Sequence, residues 1–410
     1  VIFHSWDTPP QRGATICKGR NMIEKPKNKP ECLNFSSGPC AKRPGWSVEI
    51  LKHALLGRSH RSPEGKIKLS DAINKTKELL AIPEDYKVGI VPASDTGAIE
   101  MAMWNLLGSK PVEVLSWEVF GKDWKKDVEE QLKIPGSVYH DVEFGLLPDL
   151  ESVNFENDVI FTWNGTTSGA RVPNADWIPS DRKGVTLCDA TSAVFAQEMD
   201  WLKLDATTFS WQKVLGGEAA HGILILSPKA VNLLESYTPN WPIPKIFRLT
   251  KNKKLIDGVF RGETLNTPSM LCVEDYLDVL EWVKSIGGYK GTIERANNNF
   301  SIIKQWINKI DWLDFLCVDE VNLSNTSVCL KFTDDLSKLD EDDQRAFAKS
   351  IGKILTEEEV AFDIVNHRSA PPGLRIWAGA TVESEDISKL LPWIDWAYQE
   401  LINNTGGENA

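Results

Sequence analysis

The sequence predicts an α/β protein, with a large domain on a mainly parallel sheet followed by a smaller α+β domain. Three observations predict it. From Val88 onward, short apolar runs alternate with helical stretches. Those runs are apolar throughout rather than at every second residue, the pattern of strands covered by helices on both faces. After the Gly287-Gly288 pair the order changes to helix, strand, strand, helix, strand, strand, helix, which is the order of an α+β unit.

Taken in order, residues 1–32 are rich in Lys, Arg and Pro and lack the apolar core of a signal peptide. They read as a flexible extension, with the remnant of an organelle-targeting segment as the alternative. The large domain is expected over 33–285, with an arm over 33–60. Its strands are "VGIVPAS", "VEVLSW", "VIFTWNGT", "VTLCDA", "TTFSW" and "GILILS". Between the first two, "DTGAIEMAMWNLL" puts Ala98, Met101, Ala102 and Leu106 on one helical face. "EDYLDVLEWVKSIGG" is a long helix stopped by its glycines. The small domain is expected over 286–410, with strands "LDFLCV", "TSVCLKF", "VAFDIV" and "GLRIWAG" between three helices.

At 410 residues, 42% hydrophobic and 25% charged, the composition is that of an ordinary soluble globular protein. A net charge of -12 argues against a nucleic-acid partner, which recruits a basic surface. No apolar run approaches the ~20 residues that span a bilayer, so no membrane partner is expected. The seven cysteines (Cys17, Cys32, Cys40, Cys188, Cys272, Cys317, Cys329) are scattered and form no C-x-x-C pair. That pattern favours reduced thiols in an intracellular compartment over disulfides or a metal site.

Candidate chemistry gathers where the strands end, as ligands do in open α/β sheets. "VPASDTGAIE" opens a helix after a strand, so Ser94, Asp95 and Thr96 either present backbone N–H groups to a phosphate or cap the helix. Asp189 ends a strongly apolar strand, where a carboxylate needs a partner. Lys213 follows "TTFSWQ" and precedes two glycines. It is either a solvated surface lysine or a desolvated amine. An aspartate and a lysine in this order suit pyridoxal phosphate, whose aldehyde takes a lysine and whose ring nitrogen takes an acid. There is no G-x-x-x-x-G-K-[ST] loop, no G-x-G-x-x-G after the first strand and no G-x-S-x-G elbow. Two His-Arg pairs, His60-Arg61 and His367-Arg368, lie in loops, and Arg375 follows the second. In an acidic chain these fit recognition of a dianion and a carboxylate.

Together "NFSSGPCAKRPGW", "SHR" at 59–61, "FSWQKVLGGE", "GETLNTPSMLCVEDYL" and "HRSAPPGLRIWAG" resemble the phosphoserine aminotransferase family, in its archaeal and alphaproteobacterial branch. The resemblance covers nearly all of 33–402. It implies the type I fold of pyridoxal-phosphate transferases, with a seven-stranded sheet in the large domain. It implies Lys213 as the Schiff-base lysine, Gln212 as a phosphate ligand, Asp189 at the pyridine nitrogen and Thr166 at the ring hydroxyl. Ser94 and Asp95 fall where the family cradles the cofactor phosphate. Phe120, rather than Trp117 or Trp124, is the expected stacking ring. The family's homodimers complete each site with an Asn-Thr pair, here Asn266 and Thr267. Substrate phosphate would meet His60, Arg61, His367 and Arg368, and the carboxylate Arg375. One departure is that "SAPPGL" is a residue longer than the commoner bacterial spacing.

The implied reaction is ping-pong exchange of an amino group between O-phospho-L-serine and 2-oxoglutarate, giving 3-phosphooxypyruvate and L-glutamate, in cytoplasmic L-serine biosynthesis. 4-Phosphohydroxy-L-threonine, in vitamin B6 synthesis, is a second candidate substrate. The alternatives are an alanine, serine or glyoxylate aminotransferase of the same class, a cysteine desulfurase and a non-catalytic α/β binding protein. No cysteine follows Cys329, which argues against the desulfurase.

Overall fold

The computed structural model describes residues 23–407; the earlier part of the extension, with Cys17, lies outside the described residues. A first helix, α1 (Pro63–Leu79), is capped by the Ser62 hydroxyl, which accepts from Gly65 N at 3.1 Å. Then follow β1 (Lys87–Pro92), α2 (Ser94–Leu106), β2 (Val112–Ser116), α3 (Val119–Lys126), β3 (Val138–Asp141), β4 (Asp158–Thr162), β5 (Thr186–Asp189), β6 (Ala206–Ser210) and β7 (His221–Leu226). These strands form one sheet in the order β1-β7-β6-β5-β4-β2-β3. Only β7 runs against its neighbours.

The continuous apolar runs are explained by two separate cores. Val159 and Phe161 of β4 enter one, and Ile160 between them enters the other. α2 fills the second core with Ala98, Met101, Ala102 and Leu106, as its spacing predicts. β3 escapes a search for apolar runs because it is an edge strand whose residues are at most half-buried. Since β1, β2, β4, β5 and β6 point the same way, their carboxyl ends share one edge, and the chemistry gathers there.

After β7 come α4 (Pro228–Ser236), a hairpin of β8 (Thr250–Lys251) and β9 (Lys254–Leu255), α5 (Met270–Ser285) and α6 (Tyr289–Ile307). Gly287 and Gly288 both take positive φ between the last two, the stop expected of them. The second sheet joins β10 (Leu313–Phe315), β11 (Ser327–Phe332) and β12 (Leu374–Trp377), all antiparallel, with α7 (Glu341–Glu357) and α8 (Ser384–Gly407) packed on each other.

Three expectations need correction. "VAFDIV" is not a strand: Asp363 sits at φ 57, which breaks an extended run. Only single bridges form there, Asn34 to Phe362 and Val365 to Leu374. Residues 23–32 are not loose. Lys25 Nζ pairs with Glu358 at 2.6 Å and lies 4.9 Å from the Trp396 ring, Trp393 Nε1 donates to Asn28 O at 2.9 Å, and Glu31 N donates to Asp386 at 2.7 Å. Lysine stems on aromatic faces and a buried carboxylate bind this strap to the small unit. Residues 33–35 also join that unit, since Phe362 N donates to Leu33 O at 2.8 Å and Trp377 N to Phe35 O at 3.1 Å. The arm therefore reaches the large sheet only from Ser36 onward.

Candidate active site

A cavity of about 130 Å³ opens at the carboxyl edge of the large sheet. Each predicted cofactor residue except Asn266 and Thr267 lines it: Ser94 and Asp95 after β1, Phe120 after β2, Thr166 after β4, Asp189 at the end of β5, and Gln212 and Lys213 after β6.

Lys213 is largely enclosed. Burial holds its ammonium below the usual lysine range; the nearby Cys40 thiol opposes that shift and the Arg375 guanidinium adds to it. Nζ donates to Ser37 O at 2.6 Å and lies 6.0 Å from the Phe120 ring centre. The arm is built around this amine. A Cβ on Gly38 would come 2.6 Å from Nζ, and one on Gly216, at φ 61, would come 1.9 Å from Ala41 O. Gly216 therefore makes the turn after the lysine, whereas Gly217 has an ordinary φ. The buried carboxylate of Asp275 on α5 fastens the two segments together. It accepts from Lys42 Nζ, Trp46 Nε1 and Glu218 N, each at 2.9 Å.

Asp189 accepts from Trp124 Nε1 at 3.1 Å and from Thr191 N at 3.1 Å. Trp124 thus braces a carboxylate, and Trp117 is wholly buried with Nε1 donating to Ala170 O at 3.1 Å. Phe120 is the one of these three rings that faces the lysine. Thr166 Oγ1 donates to Ser192 Oγ at 2.8 Å.

The first turn of α2 answers one open alternative. Its N-cap is Ala93, with φ 68 in the left-handed region, and no side chain caps it. The expectation that Ser94, Asp95 or Thr96 caps the helix is corrected. Asp95 is instead buried against Asp189, Thr191 and Thr208. Its side chain is turned to Asp189 and not to a phosphate at the helix end.

Pyridoxal phosphate can be tested against these residues. Asp95 Oδ1, Thr162 Oγ1, Thr191 Oγ1, Ser210 Oγ and Gln212 Oε1 are buried around the cavity without hydrogen-bond partners. Such orphans are expensive in a protein interior unless a polar ligand meets them. With an enclosed lysine, an opposing carboxylate and an uncapped helix end, the lining fits a phosphorylated heteroaromatic aldehyde.

Arg375 on β12 faces the same place. It perturbs both Lys213 and Cys40, and its Nε is buried without a partner. His367 lies nearby; burial, then Arg375 and Arg368, hold its imidazolium below the usual range. Arg368 is exposed. His60 is lowered by burial and by Arg61, and neither residue of that pair lines the cavity. One chain therefore does not bring the two His-Arg pairs together. Asn266 Nδ2 donates to Thr267 O at 3.2 Å, and this pair also lies outside the cavity of its own chain.

Sequence reasoning missed Glu118, which lines the cavity and caps α3. It accepts from Gly121 N at 2.7 Å and Thr167 Oγ1 at 2.9 Å, and burial pushes it up to about 7. "SWEVFG" carried a signal, an acid one residue before a helix. Among the described residues, no group of three or more His, Cys, Asp and Glu side chains is arranged to hold a metal ion. No described helix is long and apolar enough to cross a membrane.

No family model matches the chain. It is 55% identical over 374 residues to the phosphoserine aminotransferase of Methanosarcina mazei, covering 91% of this chain and 99% of that one. The enzyme of Methanosarcina barkeri gives the same identity and coverage. Among solved structures, a phosphoserine aminotransferase from Cytophaga hutchinsonii superposes with a TM-score of 0.75 at 20% identity, covering 88% of this chain and 98% of that one. One from Bacillus circulans subsp. alkalophilus gives 0.73 at 19%, covering 90% and 99%. These structures share the fold, and the relatives at 55% identity carry the assignment: the chain belongs to the phosphoserine aminotransferase family.

Proposed function

We propose that this aminotransferase, as a homodimer holding pyridoxal phosphate, transfers the amino group of O-phospho-L-serine to 2-oxoglutarate, giving 3-phosphooxypyruvate and L-glutamate for L-serine synthesis. The observation that carries the proposal is the desolvated Lys213 amine, enclosed with orphaned polar atoms and approached by Arg375 and His367. Bound pyridoxal phosphate supplies the electron sink and carries the amino group between the two substrates.

The chain's own residues do the rest. Lys213 would hold the cofactor, and its free Nζ would take the α-proton of phosphoserine and, in the second half-reaction, deliver a proton to the α-carbon that becomes glutamate's. A depressed ammonium pKa suits that work, because the neutral amine is the base. The Ser37 carbonyl keeps Nζ oriented. Asp189 would hold the pyridine-nitrogen end of the cofactor, Thr166 its ring hydroxyl, Gln212 and the Ser94 turn its phosphate, and Phe120 would cover its ring. Arg375 takes the α-carboxylate common to both amino acids. His367 and Arg368 receive the phosphate of phosphoserine together with His60 and Arg61 of the partner subunit, while Asn266 and Thr267 of the partner subunit complete the cofactor site. The enclosing arm excludes water during the proton transfers.

Lys213→Ala tests the proposal. It is expected to abolish turnover and the visible absorbance of the cofactor-loaded protein while leaving the fold intact; turnover retained at a tenth of wild type or more would overturn it.

A further inference from the structure

Two carboxyls, Asp95 and Asp189, meet in the wall of the cavity, although one aspartate suffices for a pyridine nitrogen. Both are buried, 6% and 7% exposed. Asp189 already accepts from Trp124 Nε1 and Thr191 N. Asp95 reaches toward Asp189 and the Thr191 and Thr208 hydroxyls, while its Oδ1 has no partner. It sits on the rigid first turn of α2, fixed by the left-handed Ala93 and Ser94. Two bare carboxylates in contact in such a place repel each other, and a single shared proton removes the repulsion.

We propose that Asp95 is a positioning residue: its neutral carboxyl donates to the Asp189 carboxylate and keeps it aimed at the pyridine-nitrogen end of the cavity, the pair sharing one proton and one negative charge. The groups facing this pair are consistent with that count. The Thr191 and Thr208 hydroxyls are neutral, burial with Asp189 and Asp95 pushes the Cys188 thiol well above its usual value, and Glu118 and Lys213 act on Asp189. Burial, then Asp189, raise Asp95 well above the carboxylate range. The inference rests on pyridoxal phosphate as the cofactor and is independent of the amino-acid substrate.

The test uses Asp95→Asn and Asp95→Ala with wild type as control. Asparagine keeps a neutral donor of the same shape, and alanine removes it. Titrating apo-protein with pyridoxal phosphate should give a dissociation constant for Asp95→Asn within threefold of wild type, and one at least tenfold weaker for Asp95→Ala. Thermal unfolding of the apo-proteins supplies a readout free of cofactor. A carboxyl raised in the folded state contributes stability that is lost as pH rises through its folded pKa. Asp95→Asn should therefore gain on wild type as pH climbs above 4. Equal weakening by both substitutions, or parallel stability profiles for wild type and Asp95→Asn, would overturn the proposal. Wild type failing to bind pyridoxal phosphate, with the profiles still diverging, would discard the cofactor reading and the aiming role while leaving the shared proton standing.

Discussion

Replacing Asp275 with alanine strikes the joint between the arm and the lysine loop. Its carboxylate is 3% exposed and accepts three hydrogen bonds. Hydrogen bonds to a charged group contribute about 1.5–3 kcal/mol each. Lys42 keeps a second partner, Glu218 Oε1 at 2.7 Å, so its share is discounted. Trp46 Nε1 and Glu218 N lose their acceptor. Two such bonds give about 3–6 kcal/mol, and non-additivity within one cluster favours the lower end, about 3 kcal/mol. Urea unfolding of the apo-protein should show that loss in its first transition. The same variant should bind pyridoxal phosphate more weakly, because Lys42 and Trp46 hold the segment whose Ser37 carbonyl meets Lys213. Asp275→Asn, which retains one acceptor oxygen, should fall between. A loss below about 1 kcal/mol, or a large loss with cofactor affinity unchanged, would refute the reasoning that this carboxylate joins the two segments.

Arg375→Lys should lower kcat/KM about 100-fold for phosphoserine and for glutamate alike, about 2.7 kcal/mol of transition-state stabilisation; steady-state kinetics showing a loss for phosphoserine alone would contradict a carboxylate role. Glu118, raised from 4.5 to about 7, contributes stability that is present below its unfolded value and is lost as pH rises through about 7. Thermal unfolding should show Glu118→Gln gaining on wild type between pH 4.5 and 7, and a constant difference across that window would contradict a buried neutral acid.

The parts of the site that follow a strand were legible because strand ends and ligand sites coincide in this architecture. Asp189 and Lys213 each closed an apolar run, and that order alone pointed to the cofactor. The destination of the Asp95 side chain was not legible, since "SDTG" is equally good as a cap, and the choice depends on the left-handed Ala93. Ser37, Cys40 and Asp275 were out of reach for another reason: the first two meet the lysine, and Asp275 joins the arm to the loop after it, across long sequence separations, where local pattern carries no register. β3 and the 360–365 segment failed on local chemistry. The first is an edge strand without an apolar run, and the second is apolar yet broken at Asp363. The lysines of the strap at 23–32 read as solvated charge, because nothing near them in the sequence announces Trp393 and Trp396 as their partners.

The central claim is that the site recognises a phosphorylated amino acid. Titrating the cofactor-loaded protein with O-phospho-L-serine, and separately with L-serine, while following the visible absorbance tests it most directly. The account predicts loss of the lysine-bound cofactor's band at phosphoserine concentrations at least 100-fold below those at which serine has any effect. Equal response to the two amino acids would contradict it.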